Sequence, residues 1–385
     1  MTCPICGFTG VIFFHNTIQK YQYCIEDKLD YIDCSLEYCE KCDHIHNYSF
    51  KEEWLDEIYN DQPTPSVPIS DEMTARTDHV LEWIGYDFYN KKNIMEIGGG
   101  DGSLTYLLSK HAKTVTLFEP NKGINNRKFL DNVTIVNEFY NGQYIKYSPD
   151  LIIFKQVLEH VYDIRSFISN ISSILSKDGM VYCEIPLSNF IIDNVATQDI
   201  HAQHIHYFSM ISVVKLFNLY GLNIFKYHLI KNGHDIGLLF GRSVSYSNVS
   251  ISDNKLSSKS ISNFEKVAIL RGSLLQYFDS ENIILYGATA NALWALRHAN
   301  SIAYIHDDNK ILSNYSMYRK KSIIPIKNKF IFDDCASNII LITAYLHDDN
   351  IVKKIKLRNK NCMEIYTINP SKFMNNLNNN VVKKL

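Results

Sequence analysis

The chain contains 385 residues, 46% of them apolar, and its 39 basic and 41 acidic residues leave a net charge of -2. This apolar content suffices for two or three globular domains and excludes a disordered or fibrous chain. The balanced charge, with no basic block, argues against a nucleic-acid partner. The longest mostly apolar run, residues 283–296, is shorter than the about 20 residues of a membrane span, and the first ten residues lack a secretory signal. We therefore expect a cytoplasmic protein with no membrane partner.

Two CxxC pairs stand near the amino terminus. They are formed by Cys3 with Cys6 and by Cys39 with Cys42, and 32 residues separate them. In a reducing compartment, two such turns facing each other supply the thiolates of a tetrahedral zinc site. We predict one structural Zn²⁺ bound by these four cysteines, with chance pairs of buried thiols as the alternative. The remaining candidates nearby are two core thiols (Cys24 and Cys34) and two less favoured substitute ligands (His44 and His46).

Two stretches of biased composition divide the chain. Residues 61–69 contain three prolines, and residues 243–262 are rich in Ser and Asn. They predict a zinc-binding module at 1–68, an α/β domain at 69–245 and a second α/β domain at 260–385. In both α/β domains, apolar runs alternate with helical patterns, which predicts parallel sheets flanked by helices. The predicted strands are 93–97, 114–118, 150–154, 179–185, 282–286, 303–306 and 338–343, and the predicted helices are 104–110, 164–175, 291–299 and 349–357.

The first predicted strand of the middle domain leads into a glycine-rich turn. Residues 94–103 read IMEIGGGDGS, with Gly98, Gly100 and Gly102 at alternate positions before a helical stretch. Glycines at a strand-to-helix turn let the backbone approach a ligand closely. A dinucleotide fingerprint, GxGxxG, would place its third glycine at position 103, so S-adenosylmethionine is favoured over NAD. The next strand ends in Glu119, whose carboxylate is placed to accept hydrogen bonds from ribose hydroxyls, and Glu96 precedes the turn.

Four segments resemble the successive motifs of class I S-adenosylmethionine-dependent methyltransferases. They are MEIGGGDGSL, LFEP, DLIIFKQVLEHV and LSKDGMVYCEIP. The resemblance implies a Rossmann-like core. It also implies that Gly98, Gly100 and Glu119 contact the cofactor, with Gln156 and Val157 beside its methionine or adenine part. Glu96 completes the predicted cofactor set. For the adjacent Glu159 and His160, a packing or helix-starting role is favoured.

With its cysteine module and a carboxyl-terminal domain containing NIILYGATANALWAL and YIHDDN, the whole chain resembles the sugar C-methyltransferases that act on nucleotide-linked 4-keto-deoxysugars. The resemblance implies that the last domain is a second Rossmann-like fold that binds the sugar nucleotide. Four residues there are substrate candidates, with strand capping as the alternative: Gly287, Ala288, Asp307 and Asp308. Three cationic candidates for a diphosphate are Lys155, Lys231 and Arg297.

The segment aligned with the active site of that family departs from its pattern. The family carries Tyr-His-Glu-His before Tyr-Phe-Ser, and this chain has His201 at the tyrosine position, Gln203 at the glutamate position and His204 at the last histidine. Removal of a proton next to a ketone needs a base, and imidazole titrates near neutral pH. We predict His204 as the base, with His201 as the second candidate. Tyr207 is a substrate candidate, although a core role is favoured for it.

The replacement of the glutamate keeps O-methylation of a sugar hydroxyl open as an alternative to C-methylation. A methyltransferase for another small molecule, and a sugar-nucleotide-binding protein without turnover, are further alternatives. The expected partner is a small-molecule sugar nucleotide. The sequence leaves the oligomeric state open and is compatible with a monomer.

Overall fold

The computed structural model describes residues 2–19, 31–55, 71–142, 146–242, 255–274, 283–289, 292, 302–308, 310–314, 316–319, 322–328, 339–344, 348–358, 364–367 and 383–384. The proline-rich segment 61–69, Cys24, Arg297, residues 243–254 and all but Ala292 of the predicted helix 291–299 lie outside these residues. By its internal contacts the chain divides into two compact units. The first comprises residues 1–12, 35–189 and 203–255, and the second comprises 13–34, 190–202 and 256–385. The consecutive domain boundaries given above stay predictions.

The first eleven strands, in chain order, are β1 (Val11–Gln19), β2 (Tyr31–Cys39), β3 (His44–Asn47), β4 (Asn93–Ile97), β5 (Thr114–Phe118), β6 (Val133–Val136), β7 (Leu151–Lys155), β8 (Met180–Pro186), β9 (His206–Phe208), β10 (Asn223–Ile230) and β11 (Asp235–Gly241). The helices among them are α1 (Asp71–Ile84), α2 (Ser103–Ser109), α3 (Ile164–Ile174), α4 (Ser188–Asp193) and α5 (Met210–Asn218). The strands and helices predicted from the sequence of the middle domain are confirmed to within one residue at each end.

The main sheet of the first unit has seven strands in the order β10, β11, β8, β7, β4, β5, β6. Neighbouring strands from β8 to β6 pair in parallel, whereas β11 pairs antiparallel with both β8 and β10. All seven residues of β8 are buried, as expected for a strand covered on both faces. Because β4, β5 and β7 are parallel neighbours, their carboxyl ends meet at one edge of the sheet, where ligands bind in open α/β folds.

A second, four-stranded sheet has the order β1, β2, β3, β9. Within the first unit, β3 pairs antiparallel with Leu36–Cys39 of β2 on one side and with β9 on the other. The cross-strand pairs of β3 with β9 are His44 with Phe208, Ile45 with Tyr207 and His46 with His206. The strand that follows the second CxxC pair is therefore hydrogen-bonded to the strand that follows His204.

The second unit contains a seven-stranded sheet and two described helices. In chain order these are β12 (Ile283–Tyr286), β13 (Ile302–His306), β14 (Ser316–Arg319), β15 (Ser322–Lys327), β16 (Ile339–Ile342), β17 (Glu364–Thr367) and β18 (Lys383–Lys384), with α6 (Ser258–Leu274) and α7 (Asp348–Arg358). The sheet order is β14, β15, β13, β12, β16, β17, β18. The five inner strands pair in parallel and the two edge strands antiparallel. No described helix in either unit is long and apolar enough to cross a membrane.

Candidate functional site

The glycine-rich turn between β4 and α2 has a backbone that side chains disfavour. Gly98, Gly100 and Gly102 have φ values of 70°, 58° and 73°, in the left-handed region. A Cβ on Gly98 would lie 2.5 Å from Cγ2 of Val157. Backbone conformation and packing therefore both require glycine at position 98, and the turn lies against the residue pair that follows β7.

Glu119, at the end of β5, holds the turn from the other side. Its Oε2 accepts a hydrogen bond of 2.7 Å from the Gly100 N–H, and its Oε1 accepts one of 3.0 Å from the Asn121 N–H. Burial raises the pKa of this carboxyl, which is 6% exposed, and the two N–H donors act against that shift. Each carboxylate oxygen has two lone pairs, so Glu119 retains the capacity to accept hydrogen bonds from a ribose.

Gln156, which follows β7, has an uncommon backbone conformation and a side-chain amide nitrogen without a hydrogen-bond partner among the described residues. Its φ is 55°, which is uncommon for a residue other than glycine, and its N–H donates to the Glu184 carbonyl at 2.8 Å. Its side-chain Nε2 is buried and has no hydrogen-bond partner among the described residues. A buried amide in that condition fits a site in which a bound molecule accepts its hydrogen bond.

Glu96 lies on β4 beneath the turn. It is 4% exposed and accepts a hydrogen bond from the Thr105 hydroxyl of α2. Burial raises the pKa of Glu96 to about 7, and the nearby Lys155 acts in the opposite direction. A Cβ on Gly99 would stand 3.4 Å from the Glu96 carboxyl carbon. Glu96 thus supports the turn from inside, while Gly98, Gly100, Glu119, Gln156 and Val157 surround the carboxyl ends of β4, β5 and β7.

His204 lies in a buried aromatic cluster. It is 7% exposed, and its ring centroid is 4.9 Å from that of His160 and 6.0 Å from that of Tyr207. The Tyr207 hydroxyl donates to the His204 carbonyl at 3.5 Å, so this side chain packs within its own segment. His201 lies in the segment 190–202 that belongs to the second unit.

Glu159 and His160, for which the sequence favours a packing role, also lie beside His204. One ligand-type atom from each of these three side chains lies within 4.8 Å of the others. The signal in the sequence was their position directly after β7, because residues that follow parallel strands line the ligand-binding edge of the sheet.

The four predicted zinc ligands do come together. Sulfur-to-sulfur distances are 3.3 Å between Cys3 and Cys42, 3.6 Å between Cys6 and Cys39, and 3.5 Å between Cys39 and Cys42. Contact with the Cys42 thiol is the largest cause that lowers the pKa of Cys3 to about 5. Among the described residues, neither His44 nor His46, the predicted substitute ligands, belongs to this group of four cysteines.

Those two substitute candidates lie elsewhere. His44 Nε2 lies 3.2 Å from His206 Nδ1, and the rings of His44 and His46 stack with centroids 6.1 Å apart. Both histidines are buried in the sheet formed with β9. Their role is therefore packing between strands.

In both units, an acidic side chain that follows one strand accepts a hydrogen bond from a backbone N–H in the turn after the neighbouring strand. Asp307 follows β13, and its Oδ2 accepts a 2.7 Å hydrogen bond from the Ala288 N–H in the turn after β12, where Gly287 has a φ of 109°. Glu119 and Gly100 have the same relation in the first unit. Asp308 instead contacts Lys354 at 2.6 Å and the Tyr286 hydroxyl at 3.1 Å.

Of the cations predicted for a diphosphate, Lys231 forms a 2.8 Å ion pair with Asp235. Lys155, at the end of β7, is partly buried and acts on the charge of Glu96. The structure therefore does not single out a phosphate-binding cation among the described residues.

Residues 72–227 match a family model described as a methyltransferase domain. A 78-residue stretch is 30% identical to the C-methyltransferase NovU of Streptomyces niveus, covering 20% of this chain and 19% of that protein. Among solved structures, the chain is similar to the N-methyltransferase NodS of Bradyrhizobium japonicum (16% identity, 49% of this chain and 96% of that one, TM-score 0.36). It is also similar to the magnesium protoporphyrin IX methyltransferase ChlM of Synechocystis (15% identity, 44% and 83%, TM-score 0.37). The matched family model and the observed sheet together indicate an S-adenosylmethionine-dependent methyltransferase domain of the class I fold.

Proposed function

We propose that this methyltransferase acts on a nucleotide-linked sugar and methylates a carbon next to a 4-keto group. The observation that carries the cofactor assignment is the turn after β4, in which Glu119 anchors Gly100 while the buried Gln156 amide lacks a partner. The local similarity to a C-methyltransferase supports methylation at carbon. The second turn, in which Asp307 accepts a hydrogen bond from the Ala288 N–H, supports a nucleotide-linked substrate.

In this proposal the turn and its neighbours bind S-adenosylmethionine. Gly98 and Gly100 let the backbone approach the cofactor, Glu119 accepts hydrogen bonds from its ribose, and Gln156 with Val157 contacts its methionine or adenine part. When bound, the cofactor supplies an electrophilic methyl group on a sulfonium. Glu96 keeps the turn in place from below.

His204 is the proposed base, and His201 is the second candidate. The base removes the proton on the carbon next to the ketone, and the electron pair of the resulting enolate attacks the methyl carbon in line. A positioned base contributes on the order of 10² to 10⁴ in rate. In the second unit, Gly287, Ala288, Asp307 and Asp308 are the proposed substrate-binding residues.

A second candidate reaction is O-methylation of a sugar hydroxyl. The specific observation in its favour is Gln203, which cannot ionise at the position where the resembled family carries a glutamate. Deprotonation of a hydroxyl needs a base but no enolate. Methylation of an unrelated small molecule, and sugar-nucleotide binding without turnover, remain the competing functions.

We also propose one structural Zn²⁺ bound by Cys3, Cys6, Cys39 and Cys42. A Zn–S bond of about 2.3 Å makes the edge of a tetrahedron about 3.8 Å, and the observed sulfur separations of 3.3 to 3.6 Å need only a small expansion. Reduced thiols in such a site agree with the proposed cytoplasmic location.

The decisive experiment combines three measurements. Mass spectrometry of small molecules retained by the purified protein identifies the bound nucleotide sugar, and incubation with S-adenosylmethionine should then add one methyl group to it. Exchange of deuterium at the carbon next to the 4-keto group, measured without methyl donor, separates C-methylation from O-methylation. A protein that binds the donor but methylates no nucleotide sugar would overturn the proposal.

A further inference from the structure

Glu159 is a buried carboxyl without a hydrogen-bond partner among the described residues. It lies in the short turn Leu158–His160 after β7, is 1% exposed, and neither of its side-chain oxygens is hydrogen-bonded there. Burying a carboxyl without a partner costs free energy, so a retained group of this kind fits a ligand that the side chains around it do not replace. The ligand of a carboxyl is a donor or a cation.

Two imidazoles lie beside this carboxyl at distances that suit metal ligands. His160 Nε2 is 3.8 Å from Glu159 Oε1, and one ligand-type atom from each of Glu159, His160 and His204 lies within 4.8 Å of the others. With metal–ligand bonds of about 2.0 to 2.2 Å, neighbouring ligand atoms of a tetrahedral site are about 3.4 Å apart. The ligand-to-ligand distances therefore need to shorten by at most about 1.4 Å to enclose one ion.

Hydrogen bonds hold two of the three ligands in place. His160 Nδ1 lies 2.7 Å from the Gln203 carbonyl oxygen, and because a carbonyl only accepts, Nδ1 carries the hydrogen and a neutral ring has its lone pair at Nε2. A metal-binding histidine almost always donates its other ring N–H to a carbonyl or a carboxylate in this way. The Ile205 N–H donates to the Glu159 carbonyl at 2.9 Å. Backbone groups on both sides of His204 thus fix the other two side chains beside it.

The buried surroundings of this carboxyl are acidic. Burial is the main cause that raises the pKa of Glu159 well above its usual range, and the fully buried Asp235 and Glu184 raise it further, while Lys231 acts in the opposite direction. Without a metal ion, Glu159 therefore holds a proton. A divalent cation displaces that proton and takes over its positive charge, and the proton leaves to water, because a carboxylate binds metal in its deprotonated form. The His160 side chain, which is 18% exposed, connects the group to solvent.

We propose that Glu159, His160 and His204 bind one divalent transition-metal ion, and that this ion reversibly blocks the base. One carboxylate and two imidazoles suit Zn²⁺, Co²⁺ and Ni²⁺ better than Mg²⁺ or Ca²⁺, and three protein ligands leave a position for water. The blocking rests on the proposed function, in which His204 takes the acceptor's proton. A neutral imidazole has one lone pair, which cannot bind a metal ion and accept a proton at the same time. The ion is distinct from the zinc proposed for the four cysteines.

Titration with Co²⁺, in protein that keeps its zinc, tests the site without turnover. Calorimetry and elemental analysis should show one cobalt ion bound per chain beside the zinc. Glu159→Gln, His160→Gln and His204→Gln should each weaken cobalt binding at least about tenfold, since even the loss of a ligand's outer partner costs about 10- to 100-fold. His228→Gln, which changes a partly buried histidine outside the group, is the matched control and should bind cobalt as the wild type does. Retained zinc in each variant shows that the fold is kept.

A wild-type protein that binds no cobalt at about 1 mM would overturn the site, and this result requires neither a variant nor a substrate. Cobalt binding that stays at the wild-type level in all three ligand variants would overturn it as well. Both outcomes are independent of sugar methylation, so they are distinct from a failure of the proposed function. With a nucleotide sugar as substrate, turnover should fall in proportion to cobalt occupancy and recover on dialysis. Full turnover at full occupancy would overturn the blocking of His204.

Discussion

A methyl group added at Gly98 should weaken cofactor binding through two effects that can be separated. In Gly98→Ala the side chain must occupy a φ of 70°, which costs about 1 to 2 kcal/mol. Its Cβ would also stand 2.5 Å from Cγ2 of Val157, and overpacking costs about 1 to 3 kcal/mol. Valine is stiff at χ1 and cannot turn away freely. The conformation of the turn in the native structure is therefore destabilised by about 2 to 5 kcal/mol.

The cofactor must restore the turn to bind, so this cost appears as lost affinity. A cost of about 2 kcal/mol corresponds to about thirtyfold, and calorimetric titration with S-adenosylmethionine should show at least that reduction. Gly221→Ala is the matched control. Gly221 has a φ of 71°, but a Cβ there meets nothing within 4 Å, so it should lower the stability by about 1 to 2 kcal/mol and leave cofactor affinity unchanged.

Val157→Ala, alone and combined with Gly98→Ala, completes a double-mutant cycle. If the contact with Val157 causes the loss of affinity, the methyl group of Gly98→Ala is tolerated better once Cγ2 of Val157 is removed. The losses of affinity in the two single variants are then less than additive in the double variant. Wild-type affinity in Gly98→Ala, or full additivity in the cycle, would refute the reasoning.

Three further predictions concern the metal, the pH dependence and the base. Metal analysis should return one zinc per chain in the wild type and none in Cys39→Ser. Removal of the zinc by a chelator should also reduce turnover, because the Asp43 carbonyl beside the cysteines accepts a 2.8 Å hydrogen bond from Ser209, in the segment that follows His204. Burial lowers the pKa of His206 from 6.5 to about 3 in the folded chain. Between these two values the unfolded chain binds a proton at this histidine and the folded chain does not, so stability falls as the pH decreases below 6.5. Urea unfolding should therefore show about 2 kcal/mol less stability at pH 5 than at pH 7.5 from this residue, and His206→Gln should remove that part of the slope. His204→Asn should lower kcat at least about a hundredfold with cofactor affinity intact, and normal turnover would move the base to His201.

Local patterns in the sequence determined the elements that form the cofactor site. The strand before Gly98, the acid that ends the next strand and the residues after β7 are each encoded within a few positions, because hydrophobic periodicity and glycine placement are local properties. The two CxxC pairs are similarly local, and the sequence predicted the clustering of their four sulfurs. The choice of sugar and of the methylated atom depends on a substrate and has no such local signature.

Only the tertiary structure decided what surrounds the predicted base. Antiparallel pairing of β3 with β9 joins segments about 160 residues apart, and it places the strand that follows the second CxxC pair beside the strand that follows His204. The hydrogen bond from the Ile205 N–H to the Glu159 carbonyl likewise accompanies the placement of Glu159 and His160 beside His204, which their position in the sequence could not distinguish from a helix start. Pairing over such distances is set by the burial of whole faces against each other, so the environment of a side chain, and with it its protonation, is a property of the folded chain.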